Sequence, residues 1–166
     1  MLDRVLEQSD LPVYIQENAS SWKRSLLEWQ KTKIKKGQTF DHVQKIFVRA
    51  KKIQDYPSDQ TADIDFMRAA SLLHKELKDS KDPQRRAQCY SMLGEAYEVL
   101  SDLDNWELPE LYYEACIREF PKSKIAKGCF KYFERSIIWG FSGSAGTFIP
   151  HTERKRLNEL RLLAGY

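Results

Sequence analysis

The chain's 166 residues, 42% apolar and 31% charged, suffice for one well-buried core and lie outside the composition of disordered proteins. Its 27 basic and 24 acidic residues leave a formal charge of +3, without the strong single-sign field that nucleic-acid binders build, so nucleic acid is not an expected partner. No apolar run approaches the roughly 18 to 20 residues that span a bilayer, and the start Met-Leu-Asp-Arg-Val-Leu-Glu-Gln has no leader-like apolar segment. The expected address is the cytoplasm, with export after removal of a leader as the alternative.

Residues 1–10 read as a polar lead-in. The spacing then predicts a helix within 10–37, opening near Asp10 and Pro12, where a missing N–H costs nothing. Its stripe Ile15, Ala19, Trp22, Leu26, Trp29 keeps one face, and the two tryptophans are expected to anchor it inside the molecule. A dimer through the Trp22/Trp29 face is the alternative, and a monomer is favoured. The basic run Lys31 to Lys36 complements the negative end of that helix, and Gly37 can close it in the left-handed conformation.

A helical hairpin is expected over 39–79. Thr39 reads as the N-cap of a helix carrying Phe40, Val43, Phe47, Ala50 and Ile53. The cluster Tyr56-Pro57-Ser58-Asp59 turns the chain, and a helix from about Thr61 carries Phe66, Ala70, Leu73 and Leu77. Asp82 caps the next helix with Pro83 at its first position, opening a second hairpin over 82–121 with a loop from Asp102 to Leu108. In 122–166, Ser123 caps a helix with Ala126, Cys129, Phe130, Phe133 and Ile137 inward. A glycine-rich loop comes next, and a last helix with Leu157, Leu160 and Leu163 caps the chain. No segment shows the period-two alternation of a half-buried strand, so the fold is expected to be all-α, with about seven helices in a single domain over 1–166.

Within the second hairpin, Tyr90, Leu93, Gly94 and Tyr97 fall at i, i+3, i+4 and i+7 of one helix, and small Gly94 beside aromatics lets a neighbouring helix approach closely. In its partner helix Tyr113 is followed by Cys116 in a small-residue slot and by Pro121 at the end. This pattern resembles a tetratricopeptide repeat over about 85–121, with a half-repeat after it. The resemblance implies antiparallel hairpins stacked as a short right-handed solenoid whose concave groove binds a peptide or partner domain. Carried onto this chain, the groove positions are Gln88, Ser91, Glu95 and Glu98, with Tyr132 and Arg135 from the half-repeat. Their acidic groups suggest a basic peptide.

The loop Gly140, Gly143, Ser144, Gly146, Thr147 is the alternative site, because glycine backbones can converge on an anion. Its spacing fits neither a Walker loop, which needs Gly-Lys-Ser/Thr, nor the dinucleotide fingerprint, which comes after a strand. It reads as a shaped connection, with Phe141, Phe148 and Ile149 tucked onto the core. His42, His74 and His151 stand apart from one another and from any cysteine at ligand spacing, so no metal is expected. Cys89, Cys116 and Cys129 are odd in number and lack Cys-x-x-Cys spacing. They read as small core residues rather than a disulfide framework. No catalytic constellation and no cofactor motif is evident, and the expectation is a non-enzymatic interaction module or scaffold. The rivals are a ligand-binding or enzymatic domain using the glycine loop, and a dimerisation domain.

Overall fold

A computed structural model describes residues 1–35, 37–56, 58–100 and 107–166. Within them the apolar stripes fold as eight helices: α1 (Leu2–Leu6), α2 (Val13–Lys31), α3 (Thr39–Ile53), α4 (Asp63–Asp79), α5 (Pro83–Val99), α6 (Leu108–Glu119), α7 (Lys124–Gly140) and α8 (His151–Ala164). The all-α class expected from the spacing is what the chain adopts. The glycine-rich loop adds the short strands β1 (Ser142–Gly143) and β2 (Gly146–Thr147), paired antiparallel. Lys36, Pro57 and most of the loop expected from Asp102 to Leu108 lie outside the described residues. Two compact units divide the chain, Met1–Glu76 and Leu77–Tyr166.

In the first unit, α2 starts after Pro12 and Gly37 takes φ 85°, as the punctuation predicts. Thr39 is the first residue of α3 rather than its cap: Gln38 holds that position, without a side-chain hydrogen bond. Phe40, Val43, Phe47 and Ala50 of α3 and Phe66, Ala70 and Leu73 of α4 are buried, with Phe47 and Phe66 meeting edge to face at 5.4 Å. The α2 stripe is corrected. Ala19 is buried and Trp22 is half-buried, its indole donating to the Gln60 carbonyl at 2.6 Å, whereas Trp29 stays 41% exposed. Trp29 instead lies at the surface over the Arg68 guanidinium, 5.9 Å from its ring centroid in a cation–π arrangement.

Arg68 belongs to a charged cluster that ties α2, α3 and α4 together. Asp65 and Arg68 are each only 2% exposed. Asp65 accepts from Arg49 at 2.8 and 3.1 Å, from Arg68 at 3.2 Å, and from the Ser25 hydroxyl. Arg68 also donates to the Ser25 carbonyl at 3.1 Å, and Arg49 reaches Glu28 at 2.5 Å. Two buried charges persist here because each faces its opposite at hydrogen-bond distance.

In the second unit, Asp82 caps α5 by accepting from Gln84 N at 3.0 Å, and Ser123 caps α7 by accepting from Ala126 N at 3.0 Å. The core between α6, α7 and α8 is built from Tyr113, Ile117, Phe130, Phe133, Ile137, Leu157, Leu160 and Ala164. Ile149 packs against it, but Phe141 and Phe148 do not tuck in as expected, since Phe148 is 76% exposed. The hairpin holds their backbones together, Phe148 N donating to Phe141 O at 3.0 Å, and thereby carries both rings out to solvent. Arg156 of α8 donates to Glu114 of α6 at 2.5 and 2.8 Å.

The cysteine expectation is corrected in part. All three are buried, but Cys116 on α6 and Cys129 on α7 form a disulfide, their Cα atoms 6.4 Å apart. Closing a loop over a separation of 13 residues stabilises by about 3 kcal/mol in the chain-entropy picture. Thiol titration of the denatured chain is therefore expected to find one thiol of the three cysteines before reduction and all three after. Reduction should lower unfolding stability by about 3 kcal/mol. Three thiols in the unreduced protein would contradict the pairing.

Candidate partner-binding face

Gln88, Ser91, Glu95 and Glu98 stand at i, i+3, i+7 and i+10, which places them along one side of α5. All four are half-buried. The opposite requirement, a close approach to α6, is met by the residues between them. Leu93 and Gly94 are buried, and a Cβ built on Gly94 would lie 2.6 Å from ring atoms Cδ1 and Cζ of Tyr113. Tyr97 stacks on Tyr112 at 5.4 Å, and the Tyr90 hydroxyl donates to Glu119 at 2.5 Å. Burial and the adjacent Glu119 carboxylate raise the Tyr90 phenol to about 12. Every aromatic in the sequence pattern thus faces α6, leaving the polar row of α5 on another side.

α7 lies against α6 through a second ring contact, Tyr132 stacking on Tyr113 at 5.4 Å between centroids. One turn on, Arg135 Nη2 donates to both carboxylate oxygens of Glu98, at 2.8 and 2.7 Å. The guanidinium sits 4.9 Å from the Tyr132 ring and 5.3 Å from the Trp139 ring, so it is held between two aromatics of its own helix while it reaches across to α5. Burial, with the Glu98 and Glu95 carboxylates nearby, pushes the Tyr113 phenol far above its ordinary range and keeps it neutral. Its hydroxyl is buried without a hydrogen-bond partner among the described residues.

Of the sequence-derived positions, then, Glu98, Tyr132 and Arg135 converge, while Gln88, Ser91 and Glu95 extend the same row along α5. Glu98 is already paired within the chain, so it serves first as the clasp between α5 and α7. The repeat pattern does not mark Trp139. It is 70% exposed and belongs with Tyr132 and Arg135 by its i+4 spacing from Arg135, the one signal that could have found it.

The alternative loop site has a different geometry. Gly143 pairs with Gly146 and Ser142 with Thr147 across the hairpin, the hydroxyls of Ser142 and Thr147 lie 2.7 Å apart, and Ser142 Oγ donates to Ile138 O at 2.6 Å. Gly146 takes φ 108°, which the tight turn after Ser144 requires. Gly140 ends α7, and all five residues of the proposed loop site are exposed. Of the three glycines in this loop, Gly146 alone takes a backbone conformation that favours glycine. Among the described residues no group of three or more His, Cys, Asp or Glu side chains is placed to hold a metal ion.

The charged cluster of the first unit is likewise unmarked by any sequence motif. Asp65 and Arg68, three apart in a helix otherwise rich in apolar residues, are the available signal. Comparison with family models, with curated proteins and with solved structures gives no match for this chain.

The clasp has a measurable strength. Glu98 and Arg135 side chains are 27% and 40% exposed, so solvent screening limits their coupling to about 0.2 to 1 kcal/mol. A double-mutant cycle with Glu98→Gln and Arg135→Met is expected to return a coupling in that range, and additivity within error would remove the clasp.

Proposed function

We propose that the chain is a tetratricopeptide-like, non-enzymatic interaction module whose second unit presents the α5 and α7 faces to a peptide or partner domain. One observation carries the reading: α5 and α7 are both seated on α6, and their polar rows are joined by the Glu98–Arg135 pair. A row of half-buried hydrogen-bonding side chains on a rigid backbone is pre-ordered for binding, which lowers the entropy lost when a partner docks. Gln88, Ser91 and Glu95 supply the α5 half, Tyr132, Arg135 and Trp139 the α7 half. The Cys116–Cys129 disulfide supports export to an oxidising compartment over the cytoplasmic address expected from the sequence.

Placing a photo-crosslinking residue at Ser91 and, as a control, at Ser144 tests this site directly. Crosslinked partner from the native source should appear at Ser91. The partner, once identified and purified, should bind Ser91→Trp at least about tenfold more weakly, a loss of about 1.4 kcal/mol, with helicity unchanged. Gly143→Val should bind it as the parent does. Loss of binding in a well-folded Gly143→Val protein, with Ser91→Trp intact, would move the site to the hairpin.

A further inference from the structure

The chemistry of the partner can be read from the same unit, an inference that rests on the proposed interaction function. A basic peptide suits Glu95 and Glu98 only if they are the dominant charges, yet Glu98 is spent on Arg135. The solvent side of α7 carries the opposite sign. Lys124, Gly128, Lys131, Arg135 and Trp139 stand at i, i+4, i+7, i+11 and i+15, one stripe along the helix. Lys124, Lys127, Lys131 and Trp139 are exposed. None of the three lysines has a carboxylate partner among the described residues; Lys127 lies over the Tyr166 ring at 5.3 Å. Two acids of these helices are paired, Glu134 with Arg161 at 2.6 Å and Glu98 with Arg135.

Two further features define what would fit. Lys124 sits in the first turn of α7, where the helix presents its positive end and no acidic residue stands in that turn. Midway, Gly128 opens the surface: a Cβ there would meet nothing within 4 Å. At the far end the stripe turns apolar, with Trp139 70% and Ile138 38% exposed. Lys124 and Lys131 are about 10 Å apart along the axis, and Trp139 is about 12 Å beyond, at 1.5 Å per residue.

We propose that this α7 stripe binds an extended acidic peptide whose carboxylates meet Lys124 and Lys131 and whose apolar side chain packs on Trp139. An extended chain rises about 3.3 Å per residue, so the matching pattern is acid-x-x-acid with an aromatic or large aliphatic residue about four positions later. A nucleic acid would need a wider phosphate-tracking surface than one helical row, and its stacking would call for repeated aromatics where this stripe ends in one indole.

The test uses the full chain and three fluorescein-labelled synthetic peptides of that spacing, carrying Glu, Gln or Lys at the two charged positions and Phe at the apolar one. The Glu peptide should bind most tightly and weaken steeply with added salt. Lys124→Glu combined with Lys131→Glu should reduce its affinity at least about tenfold, and Trp139→Ala several-fold, with circular dichroism unchanged in both. Equal binding of the Glu peptide to parent and charge-reversed protein would overturn the proposal. So would tighter binding of the Lys peptide, though that result leaves the interaction reading standing. Displacement of the Glu peptide by a single-stranded oligonucleotide or by phosphatidylserine vesicles at lower concentration than unlabelled peptide assigns the stripe to those surfaces and overturns the peptide assignment. If no peptide binds and no partner crosslinks at Ser91, both the stripe and the interaction reading fall.

Discussion

The second unit depends on how closely α5 can approach Tyr113. The Tyr113 ring is fully buried, with Gly94 of α5 against one side and Tyr132 of α7 stacked on it. A residue with any side chain at position 94 would occupy the space of the ring, and the ring cannot swing away because Tyr132 and the surrounding core hold it. That single approach sets the other contacts. α5 and α7 settle on the same helix, their polar rows come within reach, and Arg135 can close on Glu98. The Tyr113 hydroxyl, buried without a partner among the described residues, is the cost accepted for a ring of that size at that place.

The first unit solves the same problem with charge. Asp65 receives hydrogen bonds from two arginines and a serine on three helices, and neither it nor Arg68 meets solvent appreciably. Such a cluster need not be more stabilising than an apolar replacement of equal volume. Removing one charge alone strands the other and costs about 3 to 5 kcal/mol. The Trp29 ring lies over the Arg68 guanidinium of this cluster.

Features whose determinants are local are legible in the sequence. Asp82 and Ser123 announce caps that form, Gly37 announces a left-handed turn that forms, and the i, i+3, i+4, i+7 pattern of Tyr90 to Tyr97 marks the face that meets α6. Determinants that depend on how one helix registers against another are not legible. Cys116 and Cys129 are paired only because α6 and α7 pack in antiparallel register. The strands Ser142–Gly143 and Gly146–Thr147 are too short for any alternation to show. Phe148 and Trp139 carry the composition of core residues, and only the direction of the hairpin and the turn of α7 leave them exposed. Position along α5 likewise does not reveal that Glu98 is consumed by an intramolecular arginine.

The approach of Gly94 to Tyr113 can be tested with a sign. In a helix free of tertiary constraint, replacing Gly by Leu stabilises by roughly 0.5 to 1 kcal/mol through propensity. Here the added side chain must displace the Tyr113 ring, so overpacking of about 1 to 3 kcal/mol or more should outweigh that gain. Chemical denaturation of Gly94→Leu, monitored by the circular dichroism of the full chain, should therefore show a lowered midpoint with an unchanged slope. A midpoint equal to or above the parent's would mean that α5 does not lie on Tyr113, and the α5–α7 face would lose its foundation.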